Sequence, residues 1–442
     1  MTIRDARGET LTGAGARAVE AFEQALRELQ CYIGDPVATI DRALAESPEF
    51  VMGYVLKAYL HLLGTEPTGL PVARACYEAA ARLPMTTRER GHVEAVGRLI
   101  EGEWQAAGRT LEDVAIEHPT DALAIQAGHL IDFYRGDSRM IRDRVARALP
   151  AWSPGMPGYH AILGMHAFGL EETGLYDRAE RAGRRAVDLE PRDGWAQHAV
   201  AHVMEMQGRQ RDGIGWMRAN PDAWSKDSFF CVHNWWHLAL YHLDLDEVDE
   251  VLALYDGPIY GAKSRVVLDM IDASALLWRL YLRGVDLGTR WEAVADAWEP
   301  IAAAGTYAFN DAHAMMAFVG ANRPKAARAV LEAQARALEG AGDNVLFTRE
   351  VGAPVTRAIL AFGEGGYGET VRLLRPVRNV AARFGGSHAQ RDLIDLTLIE
   401  AALRDGQLAF ARALAAERVD LKPTSALGRT LLARASAEPR AA

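Results

Sequence analysis

LIEGEWQAAGRTLEDVAIEHPTD (residues 99–121) and LEETGLYDRAERAGRRAVDLEPRD (residues 170–193) end, turn and restart in the same way. Each closes one amphipathic helix, turns at a glycine, opens a second helix at an aromatic residue and stops near a proline. Gly102 and Pro119 in the first keep the spacing of Gly174 and Pro191 in the second. HLDLDEVDEVLALYDGP (residues 242–258) follows the same plan, with aspartate at the turn and valine opening the second helix. Glycine suits the turn because the residue that ends such a helix takes left-handed backbone angles. Ala107, Ala179 and Ala186 stand where two helices must approach closely.

A helix–turn–helix unit of about 34 residues is the tetratricopeptide pattern. Laid along the chain, it predicts about eleven helix pairs, beginning near residues 16, 49, 88, 121, 158, 194, 229, 266, 307, 348 and 387. The first two pairs are irregular, and the pair at 266 carries the insertion GVDLGTRW. LPAWSPGMPGY and YDGPIYGAKS read as Pro/Gly breaks between pairs. Alternating β-branched runs are scarce. The expected architecture is all-α: a right-handed α-α superhelix, forming one tetratricopeptide-like solenoid over 16–430. Flexible termini are expected at 1–15 and 431–442.

The bulk properties bound the function. The chain has 442 residues and a net charge of -10. That balance offers no basic surplus for phosphates, so no nucleic-acid partner is expected. Cys31, Cys76 and Cys231 are far apart and form no CxxC, which argues against structural disulfides and cysteine zinc sites and fits a reducing, cytoplasmic setting. No run of about 18 apolar residues occurs, so no membrane span is expected.

Within this frame the histidines are the chemically suggestive residues. In GWAQHAVAHVMEMQG (residues 194–208), His198, His202 and Glu205 share one helix face. HNWWH repeats the spacing with His233 and His237. In tetratricopeptide arrays, which the chain resembles, the first helix of each pair lines the concave surface. In that frame His92, His198, His202, Glu205, His233 and Trp236 face the groove, as does Trp278, while His237 and His313 sit beside it. Asn234, Asp272 and Asn310 occupy one shared position. His129 faces the partner helix and reads as structural, as a solitary helical histidine usually does. His118 is a loop residue, and the roles of His160 and His166 stay open.

An H-x-x-x-H pair can hold a first-row metal, because both imidazoles reach one point. The candidate metal set is His198, His202, His233 and His237, for a divalent transition metal. Without metal, His198 or His202 beside Glu205 makes an acid–base couple, so the candidate catalytic set is His198, His202, Glu205 and His237. His92, His233, His313, Trp236, Trp278, Asn234, Asn310 and Asp272 complete a candidate ligand site, the tryptophans as its wall. No P-loop, dinucleotide fingerprint or nucleophile elbow is present. The leading expectation is a small-molecule pocket, with enzymatic activity left open. The alternative is a scaffold holding a peptide or protein partner in the groove.

Seven segments together carry a family resemblance: LPAWSPGMPGYHAILGMHAFGLEETGLYDRAE, WAQHAVAHVMEMQGR, HNWWHLALYHLD, LYDGPIYG, LDMIDASALLWRLYLRGVDLGTRW, FNDAHAMMAFVGA and GSHAQRDLIDLTLIEAALR. They resemble the tetratricopeptide repeat protein 38 family from about Cys31 to Pro423. The resemblance implies an all-helical superhelix and a cytosolic or vesicle-associated protein, and it carries no settled activity. YHAILGMH departs from the family's pattern by its extra histidines.

Overall fold

A computed structural model describes residues 3–437. The described residues are all-α apart from a two-stranded antiparallel hairpin, β1 (Ile3–Arg4) with β2 (Thr10–Leu11), and an isolated antiparallel bridge between Ile33 and Ser228. Eleven antiparallel helix pairs follow. They are α1 (Ala16–Cys31) with α2 (Pro36–Glu46), α3 (Val51–Leu62) with α4 (Gly69–Ala80), α5 (Thr87–Ile100) with α6 (Trp104–Glu117), and α7 (Ala122–Tyr134) with α8 (Ser138–Ala148). Next come α9 (Tyr159–Glu171) with α10 (Tyr176–Leu189) and α11 (Gly194–Met206) with α12 (Gln210–Ala219). A short α13 (Pro221–Ser225) precedes α14 (Cys231–Asp244) with α15 (Val248–Leu254). The run continues through α16 (Val267–Leu282) with α17 (Arg290–Trp298), and α18 (Ala308–Gly320) with α19 (Pro324–Glu339). After the one-turn α20 (Asn344–Phe347) come α21 (Ala353–Gly363) with α22 (Tyr367–Val377), α23 (His388–Arg404) with α24 (Leu408–Leu421), and the closing α25 (Ala426–Ser436). The first helix of each pair starts within a few residues of the position read from the repeat.

The reason is local. Each turn inside a pair needs one left-handed residue, supplied by Gly102 at φ 75° and Gly174 at φ 76°. Asp246 at φ 64° and Asn322 at φ 53° take the same place where glycine is absent, as short polar side chains can. The turn closes by the pattern typical of such caps: Glu103 N–H donates to the Arg98 carbonyl at 2.8 Å, and Leu175 N–H to that of Leu170 at 2.8 Å. Ala107, Ala179 and Ala186 are fully buried at the close approaches. Leu163, Ala186 and Ala196 form one such contact, and Leu170, Ala179 and Val203 another.

Aspartates open several first helices. Asp121 accepts from Ala124 N–H at 2.9 Å, and Asp193 from Ala196 N–H at 2.8 Å. Both also receive a histidine from the preceding pair: His92 Nε2 lies 2.9 Å from Asp121, and His160 Nδ1 lies 2.7 Å from Asp193.

The contacts divide the chain into two compact units. The first runs to Val203 and includes Asn220–Asn234; the second holds Met204–Ala219 and everything from Trp235 onward.

Of residues 1–15, expected to be loose, residues 5–9 are tied to the first unit. Arg7 pairs with Asp5 at 3.0 Å and Glu23 at 2.9 Å, and Glu9 reaches His118 at 3.1 Å. The cause is a set of charges, of which Glu9 finds its partner far along the chain. At the other end, 431–442 was expected to be loose, but 431–436 belong to α25, which runs to Ser436, and the residues from 438 lie outside the described residues. Among the described residues no helix is long and apolar enough to cross a membrane.

Candidate metal centre

Within the first unit, α11 presents His198 and His202 one turn apart, and α14 presents His233. Each offers a ring nitrogen, and these nitrogens lie within 4.8 Å of one another. Nε2 of His233 is 3.1 Å from Nε2 of His198. The His198 and His202 rings meet edge to face with centroids 4.4 Å apart. His198 and His202 are buried, while His233 is half-buried and gives the group its solvent-facing side. Asn234 fixes the start of α14 by donating from Nδ2 to the Gly194 carbonyl at the start of α11, at 3.2 Å. This bond holds the two histidine-bearing helices in register.

The surroundings are aromatic. Phe168 stacks on His198 with centroids 5.4 Å apart and meets His202 edge-on at 5.4 Å. Trp195 lies 5.0 Å from His198, and Phe230 lies 5.2 Å from His198 and 5.0 Å from His233. His129, read as structural, packs between Phe168 and Trp195. Burial, with Arg144 nearby, pushes its imidazole down to about 3, so it stays neutral.

A carboxylate joins this group that the sequence reading did not single out. Glu171, fully buried at the end of α9, places Oε2 3.7 Å from His202 Nδ1. Glu171, Glu172 and His202 also offer donor atoms within 4.8 Å of one another. The signal was present in the repeat: Glu171 holds in α9 the place that Glu205 holds in α11.

The other expected site residues make contacts of their own. Glu205 pairs with His237, Nδ1 to Oε2 at 3.1 Å, in the second unit; His237 follows His233 by one helical turn on α14. His92 is buried on Asp121, with the Tyr59 hydroxyl 3.3 Å from its Nδ1. His92 therefore has its own buried contact within the first unit. His313 Nδ1 bonds the Phe309 carbonyl at 2.8 Å, and burial pushes its imidazole down to about 4. Trp236 is fully buried under the Arg279 guanidinium, 5.3 Å above its ring. Trp278 is also fully buried and donates from Nε1 to Thr397 Oγ1 at 3.0 Å. Both tryptophans are core of the second unit, and the aromatic wall beside the histidines is Phe168, Trp195 and Phe230. Asp272 and Asn310 are buried in the second unit.

Three imidazoles from two helices, one with a carboxylate behind it, can replace most of the hydration shell of a divalent ion. No family model matches the chain. Among solved structures, the chain is similar to one in a structure of Naa15/Naa10 bound to HypK-THB, at 14% identity and a TM-score of 0.25. That match covers 95% of this chain, which spans 65% of the other.

Proposed function

We propose that this helical-repeat protein holds a divalent transition metal on His198, His202 and His233 and uses it to bind a small oxygen-donor ligand. The observation that carries the reading is the mutual approach of three imidazole nitrogens within 4.8 Å in an aromatic setting. Neutral imidazoles leave the ion's charge uncompensated and a coordination position open, so a carboxylate or polarisable carbonyl is the fitting ligand class. Glu171, 3.7 Å from His202 Nδ1, stands behind that imidazole as a carboxylate that would compensate the ion's charge. His237, one turn beyond His233, belongs to the same expected metal set. A cytosolic setting and membership of the tetratricopeptide repeat protein 38 family are part of this proposal, resting on the scattered cysteines and the quoted motifs.

The rival reading is a scaffold for a peptide or protein partner. It is supported by the helix-pair architecture, which presents long ordered faces without any chemistry. It is also supported by a cleft of about 450 Å3 in the second unit, lined by Arg283, Arg404, Arg434, Asp246 and Glu400, suited to a charged segment.

Elemental analysis of the full chain purified without chelators separates the two. The metal reading expects the wild type to hold about one equivalent more than a folded His198→Ala, His233→Ala variant. Less than about a tenth of an equivalent of difference removes the metal centre and leaves the scaffold.

A further inference from the structure

The first unit contains a second cluster that shares no residue with the three histidines. Cys31 is the last residue of α1 and is fully buried. His160 is the second residue of α9, and Glu190 follows α10 directly. The Cys31 thiol, a His160 ring nitrogen and a Glu190 carboxylate oxygen lie within 4.8 Å of one another.

Each donor is held from behind. Asp193, itself fully buried and fixed by capping α11, accepts a hydrogen bond from His160 Nδ1–H at 2.7 Å. That bond selects the tautomer whose Nε2 carries the lone pair. It is the carboxylate–histidine support commonly found behind metal-ligating imidazoles. Glu190 is positioned by Arg27 at 2.7 Å and by the Arg192 N–H at 3.2 Å.

The cluster has an open side. His160 and Glu190 line a cleft of about 700 Å3, together with Gln30, Tyr159 and Met156. Gln30 is 3% exposed, and its Nε2 has no hydrogen-bond partner among the described residues. A buried amide donor beside the cluster is placed to meet an oxygen-bearing ligand.

We propose that Cys31, His160 and Glu190 form a second divalent-metal site, of the zinc type, whose fourth position faces the cleft beside Gln30. Sulfur, nitrogen and oxygen donors in a set of three with one open position match a tetrahedral zinc centre. A cysteine nucleophile is the competing use of a Cys–His–Asp grouping, and the geometry disfavours it, because Cys31 is fully buried. A bound dication would be compensated by the Glu190 and Asp193 carboxylates.

Cobalt(II) titration of the chelator-treated full chain tests this, because thiolate-to-cobalt charge transfer gives a near-ultraviolet band that imidazole ligands do not. We expect the band to saturate near one equivalent in the His198→Ala, His233→Ala variant, which leaves this site alone, and to vanish in Cys31→Ser. It should persist in Cys231→Ser and in the His198→Ala, His233→Ala variant, so this site and the three-histidine centre fail independently. Asp193→Asn should keep the band but weaken cobalt binding about 10- to 100-fold. Circular dichroism checks that each variant is folded. A wild type without the band, or a Cys31→Ser variant that keeps it, overturns the proposal. If Cys31→Ser does not fold, His160→Gln takes its place: unchanged cobalt affinity in that variant overturns the proposal equally.

Discussion

Nε2 of His233 and Nε2 of His198 face each other at 3.1 Å across two helices that start 37 residues apart in the chain. At that distance one nitrogen must donate and the other accept, or both must turn their lone pairs to a shared cation. Zinc added to a Cys31→Ser background, at about a hundred times its dissociation constant, should stabilise the fold by about 2.7 kcal/mol. Adding His233→Ala should abolish that increment. Thermal melts with and without zinc measure it, and an increment that survives the histidine change would sink the three-histidine centre.

Asp121 joins three jobs: it caps α7, accepts from Arg88 at 2.5 Å and pairs with His92 at 2.9 Å. Burial pushes its carboxyl up, but His92 and Arg88 outweigh that and hold it well below the ordinary carboxylate range. Asp121→Ala leaves His92 buried without its carboxylate and Arg88 with Glu9 at 3.5 Å in place of the closer partner, and should cost about 3–5 kcal/mol in urea unfolding. Asp121→Asn keeps the cap and should cost less. A group with a depressed folded pKa stabilises above its unfolded pKa, so this contribution is intact at neutral pH and is lost as pH falls below about 4.

Asp311 behaves in the opposite sense. Burial pushes its carboxyl up to about 7, against a hydrogen bond from Gln334. A raised pKa means that its stabilising proton is fully held below the unfolded value of about 3.9 and is lost as pH rises through about 7. Asp311→Asn should match the wild type near pH 4 and exceed it by about 1–3 kcal/mol at pH 8. Equal melting-temperature profiles for the two across this range would show that burial does not set the Asp311 titration.

Gly169 and Gly174 make a paired test of two different constraints. A Cβ on Gly169 would sit 2.5 Å from the Arg142 Cα, so α8 would have to move off α9. A Cβ on Gly174 would meet nothing within 4 Å, but its φ is +76°. Gly169→Ala should cost about 1–3 kcal/mol through packing. Gly174→Ala should cost about 1 kcal/mol through backbone strain alone. Denaturant midpoints of the two variants measure the difference, and a larger loss for Gly174→Ala would contradict this ordering.

The helix pairs were legible because their signal is local: a left-handed turn residue, small residues at close approaches and a cap repeat at fixed spacing. The histidine pairs on α11 and α14 were legible for the same reason, since helix spacing puts His198 and His202 on one face. What the repeat frame did not resolve was which element a groove-facing side chain meets. Trp236 and Trp278 have the right phase but are covered, one by Arg279 and one by the helix bearing Thr397. Glu205 meets His237 rather than His202, and Glu171 takes the place beside His202. Such exchanges depend on offsets between successive pairs, which no single pair encodes. The opening hairpin was missed because two-residue strands show no alternation.

That hairpin reaches well beyond its own neighbourhood. Thr12 bonds Glu89 at 2.8 Å, the Thr10 carbonyl accepts from Arg88 at 2.6 Å, and Glu9 accepts from Thr120 at 3.1 Å. Stacked helical repeats usually fray from their ends, one module at a time. Here residues 9–12 are strapped to α5 and to the turn that leads into α7. Peeling back the first module therefore means breaking the strap as well, and the leading four should melt as one block.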